Sequence, residues 1–205
     1  MDPNAFDPYA DAPRLPLEGE VDLRRLVGRP PAVELEIGPG RGWFMLERLE
    51  ADPEIHILGL EIRRKWATIV DRRLAARGYS QRARVFAEDA RNILRRVTPK
   101  SVSVVYIHFP DPWWKKRHHK RRVIDDELAE WLVRILIPRG EVFVQTDVQE
   151  RFEEYLSVFE QQPELVPAQS VGRVAENPYV ARSPRERRAI KDGLPIFRLR
   201  YRRMG

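Results

Sequence analysis

The chain has no cysteine in its 205 residues. That excludes thiolate metal sites, disulfide frameworks and a thiol nucleophile, and it suits a reducing, cytoplasmic setting. No apolar run reaches the roughly 20 residues a membrane-spanning helix needs, so no membrane is expected. No signal-peptide pattern opens the sequence. Histidine is scarce, and the adjacent His118 and His119 lack metal-ligand spacing, so no metal is expected. No internal repeat and no obligatory protein partner are evident. What remains is 42% hydrophobic and 33% charged, the composition of a globular protein long enough for one α/β domain. Residues 1–20, rich in Pro, Asp and Ala without periodicity, read as a flexible arm ahead of a single domain over 21–205.

The net charge of +6 is unevenly spread. Residues 115–122 alone carry +6 and residues 182–205 carry +7, which leaves the rest of the chain at −7. An acidic body with two concentrated basic segments points to a polyanionic partner, and a nucleic acid meets both segments most simply.

Apolar runs and amphipathic stretches alternate. Strands are expected at Val33–Ile37, Ile55–Leu60, Ala83–Phe86, Val102–Phe109 and Glu141–Thr146. Helices are expected over Trp43–Glu50, over a stretch with Ile62, Trp66, Ile69, Val70 and Leu74 on one face, over Ala90–Val97, and after Asp125-Asp126-Glu127 until Pro138 and Gly140 stop it. Asp147 and Glu150 have capping-box spacing ahead of a stripe of Phe152, Tyr155, Leu156 and Phe159. Ile196–Arg202 alternates strictly and reads as a closing strand with a different face pattern. Repeated β-α units imply a doubly wound, mostly parallel sheet that binds ligands outside the carboxyl ends of its strands.

Chemistry-bearing residues fall at those ends. Glu36-Ile37-Gly38-Pro39-Gly40-Arg41-Gly42 closes the first strand, and glycines there allow a sharp turn and close approach to a ligand. A dinucleotide loop wants a third glycine where this chain has Trp43, which disfavours a nicotinamide cofactor. Glu61 ends the second strand, where a carboxylate can accept from both hydroxyls of a ribose. Asp89 suits either contact with an adenine amine or the N-cap of the next helix, and the two are compatible. Asp111 follows the fourth strand between Pro110 and Pro112, on a stiffened loop, ahead of Trp113, Trp114 and the basic run from Lys115 to Arg122. A placed carboxylate, rings that can stack or pack, and phosphate-binding charge suggest chemistry on a nucleic-acid base. His108, inside a strand, reads as a core or pocket histidine.

The glycine loop resembles the E-x-G-x-G-x-G loop of class I S-adenosylmethionine methyltransferases. Phe109–Arg122 matches the F-P-D-P-W-x-K-x-R-H-x-K-R-R segment of the bacterial single-chain tRNA (guanine-N7)-methyltransferases, a resemblance that runs from about Val33 to the C terminus. It implies a Rossmann-like, seven-stranded sheet with an antiparallel last strand, and methyl transfer from S-adenosylmethionine to guanine N7 in the tRNA variable loop. It further implies that Glu36, Gly38, Gly40, Glu61 and Asp89 hold the cofactor, that Asp111 is catalytic and borders it, and that Lys115, Arg121, Arg122, Asp147, Ser183 and Glu186 meet tRNA. The family's T-x-x-E appears here as Ser183-Pro184-Arg185-Glu186, which is also the pattern of a helix cap. The alternatives are an RNA methyltransferase acting on an exocyclic amine and a non-catalytic RNA-binding module.

Overall fold

The expected alternation is present in the computed structural model, which describes residues 7–110, 124–169 and 172–205. Its strands are β1 (Val33–Ile37), β2 (Ile57–Leu60), β3 (Ala83–Phe86), β4 (Val102–His108), β5 (Leu136–Thr146), β6 (Leu165–Pro167) and β7 (Phe197–Arg203). They form one sheet in the order β3-β2-β1-β4-β5-β7-β6. Only β7 runs against the others, pairing antiparallel with both β5 and β6. The strand order reverses between β1 and β4, so the crevice that such sheets use for ligands opens above these two strands.

The helices are α1 (Trp43–Ala51), α2 (Arg64–Ala76), α3 (Ala90–Leu94), α4 (Asp126–Ile135), α5 (Gln149–Glu160) and α6 (Pro184–Lys191). One face of the sheet presents Val33, Leu35, Ile37, Val105, Ile107, Val142 and Val144 to α3, α4 and α5 in an apolar core. The opposite face packs Ile57, Val85, Tyr106 and Phe143 against α1 and α2. That second face also carries buried charge. Arg48 of α1 reaches Glu34 of β1 through Nε and Nη2, at 3.1 and 2.5 Å. Glu141 of β5 accepts from Arg200 at 2.8 and 2.9 Å, from Arg202 at 2.7 Å and from the Tyr179 hydroxyl at 2.8 Å.

Four expectations need correction. Ile62 is 68% exposed and precedes α2, because the chain is still turning there: Glu61 Oε1 takes the Arg63 backbone N–H at 3.0 Å. Pro138 and Gly140 do not stop a helix. The chain passes straight from α4 into β5, and these residues fall where the β4–β5 ladder shifts register, with Arg139 at φ +65°. A bulge tolerates a proline that lacks an N–H. Asp147 and Glu150 form no capping box, since the N-cap of α5 is Val148, which makes no side-chain cap. Finally, the supposed arm lies against the domain from residue 7. Leu15 and Ala12 are buried, Ala87 N–H donates to Pro13 O, and Arg64 and Arg72 pair with Asp7 and Asp11. These anchors are single contacts without period, so no pattern in residues 1–20 announces them.

Burial pushes the Glu141 carboxyl up, but hydrogen bonds from Arg202, Tyr179 and Arg200 outweigh it and hold it below the ordinary 4.5. A carboxylate with a lowered native pKa contributes stability above its unfolded pKa and loses it as pH falls through the native one. Glu141→Gln is therefore expected to cost about 1–3 kcal/mol at pH 7. In thermal denaturation the gap to the wild type should close as pH drops below about 4; a gap that persists there would assign the loss to packing instead.

Candidate active site

The turn after β1 is built from glycines for two different reasons. Gly38 and Gly40 have φ of +72° and +55°, and a Cβ on either would meet nothing within 4 Å. Their outward side is open. Gly42, at φ +71°, is instead packed: a Cβ there would lie 2.3 Å from Val70 Cγ1 of α2. The loop is tied to the neighbouring strand end, since Gly40 N–H donates to Glu61 Oε2 at 2.9 Å.

Glu36 and Glu61 are each only 2% exposed, at the ends of β1 and β2. Glu61 spends Oε1 on the Arg63 N–H and guanidinium. Glu36 gives Oε1 to His108 Nδ1 at 2.9 Å, while its Oε2 is buried with no partner among the described residues. Asp89 is the N-cap of α3, accepting from Arg91 N–H at 3.0 Å. Its neighbour Glu88 accepts from Leu15 N–H at 3.0 Å, which fastens the N-terminal segment beside the same strand end. An open glycine turn, an unsatisfied buried carboxylate oxygen and two further acids fit a cationic nucleoside cofactor rich in hydroxyl and amine donors. Among the described residues no cluster of His, Cys, Asp or Glu could hold a metal ion, and no helix is long and apolar enough to cross a membrane.

Where β4 ends, Phe109 turns out of the sheet at φ +46°, with its N–H bonded to Gln145 O at 2.7 Å. A bulky residue in the left-handed region, directly before a proline, is strained. Such strain gathers at functional sites. Asp111, Trp113, Trp114, Lys115, His118, His119, Arg121 and Arg122 lie outside the described residues.

On the far side of the crevice, the structure brings Asp147 to the start of α6, where it pairs with Arg185. Ser183 caps that helix, its Oγ accepting from Glu186 N–H at 3.2 Å. Glu186 is not placed to touch a substrate. It is fully buried, with Oε1 3.1 Å from Arg198 Nη2 and Oε2 2.9 Å from Asn177 Nδ2. A buried carboxylate needs such partners, and here they pin α6 to β7. Every arginine from Arg182 to Arg203 also faces a carboxylate within 4.0 Å, though Arg185, Arg187, Arg188 and Arg202 remain 46–73% exposed. Sequence reasoning missed Asn177, Gln145 and the Arg198 pairing. The available signal was the alternation of Arg198, Arg200 and Arg202, which puts three cations on one face of β7 against Glu141 of β5 and Glu186 of α6.

A family model described as "Putative methyltransferase" matches residues 31–199. A tRNA (guanine-N(7)-)-methyltransferase of Synechococcus sp. (strain JA-3-3Ab) is 37% identical over 199 residues, covering 95% of this chain and 81% of the relative. One from Anaeromyxobacter dehalogenans (strain 2CP-C) is 40% identical over 170 residues, covering 82% and 84%. Among solved structures, geranyl diphosphate C-methyltransferase from Streptomyces coelicolor A3(2), solved with S-adenosyl-L-homocysteine, superposes with a TM-score of 0.59 at 15% identity, over 87% of this chain and 71% of that one. That likeness confirms the class I methyltransferase sheet. With identity at this level over most of both sequences, the chain belongs to the tRNA (guanine-N7)-methyltransferase family.

Proposed function

We propose that this protein methylates N7 of a guanine in tRNA, with S-adenosylmethionine as methyl donor, and that the guanine lies in the variable loop. The observation that carries the reading is the glycine turn with Glu36 and Glu61 at the ends of β1 and β2, set at the reversal of strand order in a chain with these relatives. Gly38, Gly40, Glu36, Glu61 and Asp89 are the residues for the cofactor. The lack of cysteine and the tRNA substrate are consistent with action in the cytoplasm.

When bound, the cofactor supplies a methyl group on a positively charged sulfur. Guanine N7 carries a free lone pair and no proton, so its attack needs no general base. The N7–carbon bond forms as the sulfur–carbon bond breaks; the bonding pair stays on sulfur, and positive charge passes to the base. The protein's work is then mostly alignment, a source of up to ~7–11 kcal/mol in favourable cases. In this reading Asp111 accepts from guanine N1–H and the exocyclic amine, which orients the base and stabilises its growing charge. The base must leave its stack to reach the crevice, at a cost of a few kcal/mol. Trp113 or Trp114 offers a ring to receive it. Lys115, Arg121 and Arg122 bind phosphate. Asp147 and Ser183 line the tRNA side, with Arg185 covering Asp147 until RNA competes for it. Glu186 acts from beneath, by holding α6 in place.

Incubation with labelled S-adenosylmethionine and unmodified tRNA transcript, followed by nucleoside analysis, is expected to give 7-methylguanosine in the variable loop; label on another nucleoside would discard the N7 assignment. Asp111→Ala should fold and still bind S-adenosylhomocysteine while kcat falls by about 100-fold or more. A kcat near that of the wild type would remove Asp111 from the mechanism. Exchanging Arg121 and Arg122 for Gln should flatten the slope of log affinity against log salt by about 2 when tRNA binding is titrated. An unchanged slope would mean these charges do not touch RNA.

A further inference from the structure

Three side chains at the carboxyl ends of β1, β4 and β5 hold polar atoms that no described residue satisfies: Glu36 Oε2, His108 Nε2 and both amide atoms of Gln145. All are deeply buried. Gln145 is fully enclosed, and the side chains of His108 and Glu36 are 4% and 3% exposed. Buried polar atoms are nearly always paired, and the exceptions call for a reason.

The three groups are neighbours. His108 Nδ1 lies 2.9 Å from Glu36 Oε1. His108 and Gln145 are register partners in the β4–β5 ladder, so their side chains leave the sheet on the same face. The imidazole is walled by Phe44, edge-on at 4.2 Å, and by Tyr106, stacked at 5.7 Å. A carboxylate oxygen can only accept, so the ring nitrogen facing Glu36 carries the proton and, in the neutral ring, Nε2 is left as an acceptor.

We propose that His108 and Gln145 are positioning residues for Glu36. The Nδ1–H of His108 fixes the carboxylate through Oε1 and leaves Oε2 as the acceptor offered to the cofactor. The amide of Gln145 makes no hydrogen bond in this structure but leaves the sheet on the same face as His108; with the cofactor bound it turns to donate to Nε2 and thereby keeps the proton on Nδ1. Outer partners of this kind orient a ligand-holding group by fixing its tautomer and rotamer. The proposal rests on the assignment of Glu36 to the cofactor.

Four variants of the full chain test it: Glu36→Gln, His108→Phe, His108→Asn and Gln145→Leu. The affinity for S-adenosylhomocysteine is measured by calorimetry, with KM for S-adenosylmethionine and kcat on tRNA alongside. His108→Phe keeps an aromatic ring but loses the donor, and is expected to weaken binding by about tenfold while kcat at saturating cofactor changes little. His108→Asn places an amide nitrogen near the Nδ1 position and should recover most of that loss. Gln145→Leu removes two unpaired buried polar atoms, so its melting temperature should hold while its affinity falls in the same direction as His108→Phe. Affinities within about twofold of wild type in both His108→Phe and Gln145→Leu would overturn the proposal, as would a His108→Asn no better than His108→Phe. Glu36→Gln separates the two levels. If it weakens binding and the His108 variants do not, the positioning role alone fails; if it too binds normally, the assignment of Glu36 falls and the proposal with it.

Discussion

One face of the central sheet carries charge, and the rest of the structure is arranged around neutralising it. Parallel strands buried on both sides are normally apolar throughout. Here Glu34, Glu36, His108, Glu141, Gln145 and Arg198 project from a single face under helices and loops. All but Gln145 have a partner, and those partners fix pieces of the fold. Arg48 fixes α1 over β1, Tyr179 and Arg200 fix the segment before α6, and Glu186 with Asn177 fixes α6 over β7. Breaking a buried pair by removing one side leaves an uncompensated charge, so these contacts specify position strongly even where their net contribution is small.

The same face becomes the site at its carboxyl edge. Pairing there is incomplete: Glu36 and His108 meet, yet one atom of each stays open, and Gln145 is wholly unsatisfied. Beside them Phe109 leaves its strand in a strained conformation. Stability is given up where strand order reverses and a ligand crevice opens, and it is recovered lower on the same face in the saturated cluster around Glu141. For a methyltransferase this is economical, because transfer to an unprotonated ring nitrogen asks for aligned groups more than for an acid or a base.

The positive charge needs dividing by use. The arginines of the C-terminal segment pair with Asp147, Glu47, Glu141, Glu164, Glu186 and Asp192, Arg198 and Arg200 in the interior and Arg185, Arg187, Arg188 and Arg202 at the surface. The run from Lys115 to Arg122, which has no acid within it, is the segment that the proposed function assigns to tRNA phosphates.

By itself the sequence determined the alternation of strands and helices, the bounds of β1 and β3, the glycine turn, the acids at the strand ends and a closing strand, whose antiparallel sense followed only from the family resemblance. Each is local: apolar period, turn chemistry and a short motif lie within a few residues of one another. Tertiary structure alone decided what distant side chains do with each other. It turned Glu186 inward to Arg198, drew Asp147 to Arg185 instead of a helix cap, joined His108 to Glu36, and laid residues 7–20 along the domain. A buried charge takes the partner that folding brings near it, and that choice depends on the register of β5 against β7 and on the helices packed over them, which no window of sequence contains.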